Sequence, residues 1–502
     1  MSSHCSRRYF FYGSFLTAVA STTSLRAMGY KSPNEKLNLA AIGAGGQPAS
    51  DLRAAQAGVE NVVALADVDW ERGKDSFSRF PNATRYKDFR QMLDKSGKDI
   101  DAVVIGTPDH MHAYCALHCM QAGKHVYVEK PLTRVSGESR MLAMGAERYK
   151  VATQMGNQGY SHDATRVACE ILWSGEIGDV KEVHAWTGRP SWPQKMSKVA
   201  APSPVPDTLD WDLWLGTAAK RPFTAGDDDY RAFVTARNGG RESRDNFGFY
   251  LPFNWRGFYD FGSSLIGDWG IHILGPANWG LKLSPEYLVS VECIKKDSLP
   301  EFTFPDEMTI KYEFAARPGM PPVTVYWYQH AGPSDPYLPS GMTAEQARKV
   351  PGQGPQVGPV QQARPGGGGG PVLRSGYNLI FVGSKGHLGT SGRGEGVGLL
   401  PGSRWAEYKL PNAYLSRSPG ASTGSNHSAH ARDWVRACKG GAPACSNFSI
   451  AGPYTEWLVL GSAAVHYDGK LLWNNAKGEF TNNKEANKWV KPAYRKGWEV
   501  KI

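Results

Sequence analysis

Four short apolar runs, each closed by a turn residue, set the framework of the first folded part of this chain: Leu37-Asn38-Leu39-Ala40-Ala41-Ile42, Val62-Val63-Ala64-Leu65-Ala66, Asp101-Ala102-Val103-Val104-Ile105 and Val126-Tyr127-Val128. Runs this short and apolar are strands covered on both faces. Helix-length segments separate them, and strict strand–helix alternation is the pattern of parallel crossovers. The reading is an α/β unit, a doubly wound parallel sheet over residues 34–156, with Val151-Ala152-Thr153-Gln154-Met155 as its closing strand. Open sheets of this kind take their ligands at the carboxyl ends of the strands. The residues that follow each run are therefore the candidate site.

After the first run comes Gly43-Ala44-Gly45-Gly46-Gln47, with a helix expected from near Ala49. Glycines there let a pyrophosphate approach the backbone, and the helix N-terminus favours its charge. Pro48 stands where the third glycine of the usual pattern would be, a position in the first helical turn that proline tolerates. Asp67 ends the second run, roughly twenty residues beyond the glycines, where a carboxylate takes the ribose hydroxyls and repels a 2′-phosphate. That favours NAD over NADP; the alternative for Asp67 is a helix cap. The third run ends in Gly106-Thr107-Pro108-Asp109-His110-Met111-His112. The fourth ends in Glu129-Lys130-Pro131, where proline stops the ladder and leaves Lys130 at the cleft. A Glu-Lys pair at a strand end is, taken alone, an ordinary surface pair. His110 and His112 have no third partner for a metal, and a cofactor-pocket role is expected for them.

The second part, residues 157–502, opens with a crossing loop at Gly156–His162 and a helix from about Asp163 to Trp173. A strand follows at Val180–Trp186. Residues 188–265 are rich in Pro, Gly, Trp and Arg and read as long ordered loops. Further strands are expected near Tyr287–Ile294, Met308–Phe314, Val323–Gln329 and Asn378–Gly383, and helices near His430–Ala437 and Tyr454–Val465. The tract at 351–371, with Gly366 to Gly370, reads as a mobile loop. In Gly267-Asp268-Trp269-Gly270-Ile271-His272, Asp268 and His272 are four apart and share one face of a helix. A carboxylate that orients an imidazole makes a general base near neutral pH. A capping Asp beside a buried His is the other reading of that spacing. Among the many tryptophans, Trp186 and Trp192 are candidate platforms for the C–H faces of a sugar, and Asn157 and Arg189 candidate donors to its hydroxyls.

The Gly-x-Gly-Gly turn, Ala-Asp-Val-Asp, Thr-Pro-Asp-His-x-His and Glu-Lys-Pro occur in this order. Together they resemble the glucose–fructose oxidoreductase, inositol dehydrogenase and MocA family (Gfo/Idh/MocA). The late Leu471-Leu472-Trp473 and Tyr494-Arg495-Lys496-Gly497-Trp498 resemble its secreted bacterial members. The resemblance implies an N-terminal Rossmann domain with a nicotinamide cofactor and a C-terminal α/β domain whose open, mostly antiparallel sheet forms the substrate wall. It implies Gly43, Gly45, Gly46, Gln47, Asp67, Thr107, Pro108, His112, Glu129 and Lys130 around NAD. It makes Lys130, Asp268 and His272 the catalytic group, acting on a carbohydrate. A homo-oligomer built through the open sheet is a further expectation.

The N-terminus carries Ser6-Arg7-Arg8-Tyr9-Phe10-Phe11 and then an apolar stretch through Phe15–Ala20. This is the layout of a twin-arginine export signal within residues 1–33, placing the protein in the periplasm or outside the cell. Cleavage after Ala20, cleavage after Ala27 and an uncleaved anchor all remain open. The apolar stretch is too short for a stable membrane insertion. Net charge is +10, but Lys and Arg are scattered without a basic block, which speaks against nucleic acid. No zinc-type cysteine spacing is present, and Cys438 and Cys445 fit either a disulfide or a reduced pair. Export separates the enzyme from an exchangeable NAD pool and suggests a tightly held cofactor recycled in place. Glycoside cleavage through a transient keto sugar would use such a cofactor. A non-catalytic NAD-binding sensor on the same fold is the alternative.

Overall fold

The computed structural model describes residues 35–237, 248–332, 334–348, 353–355, 357, 376–417 and 426–502. The expected export signal at 1–33 and most of the tract at 351–371 lie outside the described residues.

The first sheet has six strands: β1 (Asn38–Ile42), β2 (Asn61–Ala66), β3 (Thr84–Tyr86), β4 (Ala102–Ile105), β5 (His125–Val128) and β6 (Thr153–Met155). Their order is β3-β2-β1-β4-β5-β6, and every pairing is parallel. Chain direction across the sheet reverses between β1 and β4, so the turns after these two strands face one crevice. Alternate residues of β1 and β4 bury into opposite layers: Ala40, Ile42, Val103 and Ile105 on one side, Leu39, Ala41, Ala102 and Val104 on the other. Both faces are covered, as the unbroken apolar runs require.

The second sheet has nine strands in the order β13-β12-β11-β7-β10-β9-β8-β14-β15. They are β7 (Val180–Thr187), β8 (Leu288–Lys296), β9 (Met308–Phe314), β10 (Val323–Gln329), β11 (Leu379–Gly383), β12 (Gly386–Ser391), β13 (Gly396–Leu400), β14 (Leu471–Asn474) and β15 (Glu479–Phe480). Only the β7–β10 pairing is parallel; the others are antiparallel. β12 and β13 escape a pattern reading because Gly386, Gly389, Gly396 and Gly398 break their alternation. Gly389 is required there: a Cβ would stand 2.6 Å from the ring of Tyr377.

Two helices join the layers. The 448–464 helix lies between the second sheet and the first domain's 136–149 helix. Tyr312 of β9 donates its hydroxyl to the Leu458 carbonyl at 2.6 Å. The 426–438 helix returns to the first sheet and packs Ala431, Trp434 and Cys438 against the layer of Leu39 and Val104. Residues 188–265, expected as loops, also contain helices at Trp211–Leu215 and Asp228–Arg237. Trp211, Trp214, Phe249, Tyr250, Phe258 and Phe261 give this segment an aromatic core of its own.

Candidate active site

The crevice at the β1/β4 reversal holds a cavity of about 390 Å³, lined by Gly43, Gly45, Gln47, Asp67, Thr107, Pro108, His112, Glu129 and Lys130 among others. The glycine turn is held in shape by steric need. Gly43 has φ +85° and Gly46 φ +62°, values that a side chain disfavours. A Cβ on Gly106, after β4, would meet Pro48 at 2.5 Å. Pro48 can therefore replace the third glycine because the glycine sits on the neighbouring strand end instead. The helix starts at Gly46, three residues earlier than expected, and has no acidic residue in its first turn to offset its positive end. Gln47, expected at the cofactor, donates to Asp51 at 3.0 Å and lines the cavity.

Asp67 accepts from the amides of Ala44 (2.7 Å) and Asp69 (2.9 Å). Burial pushes its carboxyl up to about 6, partly opposed by those two amides. The cap of the following helix is Asp69, which accepts from Glu71 and Arg72 amides, so the capping alternative falls to Asp69. Thr107 presents a buried hydroxyl with no partner among the described residues. His112 lies with Nδ1 2.8 Å from the Pro131 carbonyl oxygen and Nε2 2.8 Å from that of Thr107. It thus ties the β4 and β5 strand ends together, while burial pulls its imidazole down to about 4. His110 does not line the cavity: its Nε2 is 3.0 Å from the Trp214 carbonyl oxygen, among Trp214 and Phe261. Glu129 is buried, near Asp51, and its carboxyl is pushed well above the usual range, by burial first and by Asp51 next. Gln158 donates to it at 3.4 Å.

Lys130 reaches across the crevice and forms an ion pair with Asp268 Oδ1; its Nζ is also 3.3 Å from the Asp268 carbonyl oxygen. Arg256 Nε donates to the same carboxylate oxygen at 3.2 Å. Asp268 sits in a π-helical turn, Ile266–Gly270, followed by a short helical piece that carries His272. The expected Asp268–His272 contact is absent among the described residues. Two cations hold the carboxylate, and charge-assisted bonds outcompete one to a neutral ring. Burial keeps the His272 imidazole well below its usual range, aided by Arg393 and Lys130. Its Nδ1 is buried without a partner, and the ring does not line the cavity.

Sequence reasoning missed Arg256 and Asp109 as members of this site. Asp109 accepts from Ser263 at 3.0 Å, and burial pushes it up to about 7, against Arg256 and with Asp268. Asp109 reads in sequence as a helix-start residue, and Arg256 lies where no periodicity marks it.

The four expected substrate contacts divide. Asn157 is wholly buried with neither amide atom bonded among the described residues. Trp186 is no platform: it is fully buried in β7 among Tyr377, Ile380 and Leu400. Trp192 is buried too, donates to Gln194 at 2.7 Å and packs edge-on against Phe253. Arg189 lies away from the cavity and donates to the Arg237 carbonyl at 3.1 Å. Large apolar faces found cores here because few aromatics can stay exposed at low cost. Cys438 and Cys445 are free thiols, not a disulfide. No group of three or more His, Cys, Asp or Glu among the described residues is placed to hold a metal. No described helix is long and apolar enough to cross a membrane.

A parallel six-stranded sheet, a glycine turn leading into an uncompensated helix start and the Asp67 carboxylate at the end of β2 together have the form of a dinucleotide-binding domain. Residues 37–157 match the family model of GFO_IDH_MocA, described as oxidoreductase family, NAD-binding Rossmann fold. Residues 37–157 thus carry the NAD-binding Rossmann domain that this model describes, and the cofactor is NAD. The chain is 27% identical over 134 residues to levoglucosan dehydrogenase of Pseudarthrobacter phenanthrenivorans, covering 26% of this chain and 34% of that protein. It is 30% identical over 147 residues to inositol 2-dehydrogenase 1 of Saccharopolyspora erythraea, covering 28% and 43%. The chain thus spans well under half the length of these curated relatives. In fold it is similar over nearly its whole length to two solved structures. One is an inositol dehydrogenase homologue from Azotobacter vinelandii with NADH and myo-inositol (TM-score 0.52, 16% identity, 89% of this chain and 100% of that one). The other is the WlbA dehydrogenase of Bordetella pertussis with NADH and UDP-GlcNAcA (TM-score 0.53, 13%, 88% and 99%).

Proposed function

We propose that this protein is an NAD-dependent oxidoreductase acting on a sugar or glycoside hydroxyl. The observation that carries the reading is Lys130: held by Asp268, it lines the same cavity as the glycine turn and Asp67. A donor fixed at that point can bind the oxygen of a carbinol whose carbon faces the nicotinamide. The relatives named as acting on inositol and levoglucosan support a polyol or sugar as the substrate class.

In this reading Gly43, Gly45 and Asp67 would hold NAD, which would supply the hydride acceptor for the carbinol C–H. Lys130 Nζ donates to the reacting oxygen and stabilises the negative charge that develops there as the O–H proton leaves. Asp268 is a positioning residue for Lys130. His272 is the proposed acceptor of the hydroxyl proton: burial keeps its imidazole unprotonated and able to accept, and because the ring does not line the cavity of the free protein, the substrate has to open a path to it beside Lys130. The carbinol thus loses two electrons and two protons, one as hydride and one to His272.

The finer proposal is that the cofactor stays bound and is recycled: oxidation acidifies the neighbouring ring C–H, a base removes that proton as the aglycone leaves, water adds at the carbon it left, and the hydride returns to the carbonyl. It rests on the twin-arginine layout at residues 7–8, which would take the folded, loaded enzyme out of the cytoplasm. The test is the absorbance at 340 nm of purified protein, without added NAD, as sugars and glycosides are titrated in. A rise that decays as aglycone appears supports recycling, and a rise that persists supports a simple dehydrogenase. No change with any sugar, with or without added NAD, refutes the redox reading and favours an NAD-binding sensor.

A further inference from the structure

Arg256 is fixed in the cleft by more than its ion pair. Its Nη1 lies 3.3 Å from the Phe253 carbonyl oxygen, and its guanidinium carbon lies 4.2 Å from the ring centres of both Phe253 and Trp255. Trp192 adds a third ring at 5.9 Å. The side chain is only 19% exposed, and it lines the cavity beside Phe253, Trp255, Lys130 and Asp109. Among the described residues no group bonds Nη2. A rigid planar donor with Nε and Nη1 engaged and Nη2 free is a receptor for one oxygen of a carboxylate or a phosphate.

Charge balance at this point favours one more anion. Lys130 and Arg256 are two fixed cations that share one carboxylate, Asp268. The second carboxyl in reach, Asp109, is only partly ionised at neutral pH, since burial pushes it up to about 7. The pyrophosphate of NAD does not fill the gap, because it belongs at Gly45 and Gly46, where Arg72 and not Arg256 packs. One free guanidinium nitrogen and a deficit of about one charge suit a monoanionic carboxylate better than a phosphate dianion. The surrounding Leu251, Pro252, Phe253 and Trp255 give the rest of the pocket an apolar wall of the kind that a pyranose C–H face covers.

We propose that the substrate is an acidic sugar, a hexuronic acid or its glycoside, whose carboxylate is received by the free Nη2 of Arg256 while a ring hydroxyl meets Lys130. This rests on the sugar-oxidoreductase reading above and names its substrate class. The carboxylate is a handle and is not changed; the bonds broken are the C–H and O–H of the ring carbinol.

The experiment is calorimetric titration of NAD-loaded protein with sugar pairs that differ only at C6: glucose and glucuronate, galactose and galacturonate, mannose and mannuronate. The expected result is about tenfold or tighter binding of the acid in at least one pair, as a charge-assisted contact supplies. Arg256→Gln should remove the preference and Arg256→Lys should retain part of it, with thermal unfolding followed for both. Absence of any acid preference in the wild type, weak binding of all six sugars included, overturns the proposal. So does a preference that survives in a folded Arg256→Gln protein. Parallel recording at 340 nm separates the two readings. Acid preference without NADH formation leaves Arg256 as an acid receptor and removes the redox reading. Oxidation of neutral sugars without acid preference does the opposite.

Discussion

NAD affinity should fall in acid with a midpoint set by Asp67. The Asp67 carboxylate already accepts two amides, from Ala44 and Asp69, and its remaining lone pairs face the cavity. Ribose hydroxyls donate far more strongly to the ionised form, while burial raises the carboxyl to about 6 in the free protein. The sign follows from linkage: a binding event that needs the deprotonated group weakens as pH drops below that group's pKa. With a midpoint of about 6, roughly nine in ten molecules carry a protonated Asp67 at pH 5, so Kd should rise about tenfold between pH 8 and pH 5. Binding at pH 5.5 should release a fraction of a proton, seen in calorimetry as a dependence of the heat on the buffer's ionisation enthalpy. Asp67→Asn keeps the shape but offers a weaker acceptor and no charge. It should lose about 10- to 100-fold in NAD affinity at pH 8, the span of hydrogen bonds to a charged group, and should lose the pH dependence. The same variant should narrow the gap between NAD and NADP, since the repulsion of a 2′-phosphate disappears. A flat Kd between pH 5 and 8 in the wild type, or equal binding of NAD and NADP, would refute the assignment of Asp67 to the ribose.

Lys130→Met should lower kcat by about 10²- to 10³-fold, the range for loss of a donor to a developing oxyanion, measured as NADH formation under saturating NAD. Asp268→Asn and His272→Ala should both reduce turnover, yet only His272→Ala should remove the acid limb of the kcat/KM–pH profile, because Asp268 touches Lys130 and not His272. Gly159→Ala should cost about 1–3 kcal/mol in urea unfolding, since its Cβ would overlap the Arg393 carbonyl oxygen. Stability should also fall as pH drops from 7 toward 4. His110 and His466 are held down at about 3 and His125 at about 4 by burial, so below pH 6.5 the unfolded chain binds protons that the folded imidazoles refuse, and the stability they contribute is lost progressively from there down to about pH 3–4. Urea midpoints at pH 7, 6 and 5 test this; a midpoint unchanged between 7 and 5 would contradict it.

The first domain was legible because its signals are local. Each strand of β1, β2, β4 and β5 is an unbroken apolar run, and each ends in a residue whose type announces a turn. Apart from Gly46, the cofactor residues named from sequence, Gly43 through Lys130, line one crevice at the carboxyl ends of β1, β2, β4 and β5. In the second domain the strands with intact alternation, such as Thr309-Ile310-Lys311-Tyr312 in β9, read correctly, whereas β12 and β13 did not, since glycines admit the side chains of neighbours. Trp186 and Trp192 show the limit of composition. Whether an indole faces a ligand or a core depends on which strand lies beside it, and β7 is flanked on both sides by β10 and β11.

Asp268 shows why the site itself was harder to read than the fold. The i,i+4 rule identifies which residues can share a helix face, but it does not weigh partners that arrive from elsewhere in the chain. Lys130 comes from a strand end 138 positions earlier, and Arg256 from the turn at 254–257. A buried carboxylate is most stable with the strongest donors in reach, and two cations outrank an imidazole that burial keeps neutral. The consequence is functional as well as structural. By binding Asp268, Lys130 joins the Rossmann strand end to the π-turn of the second domain, and Arg256 joins the same carboxylate to the aromatic segment. One side chain therefore sets the relative placement of the cofactor-facing donor, the proposed proton acceptor four residues on, and the guanidinium that receives the acid. A substrate that binds Arg256 draws on the same charge that positions Lys130, so recognition of the distant carboxylate and activation of the hydroxyl are coupled through Asp268 rather than independent.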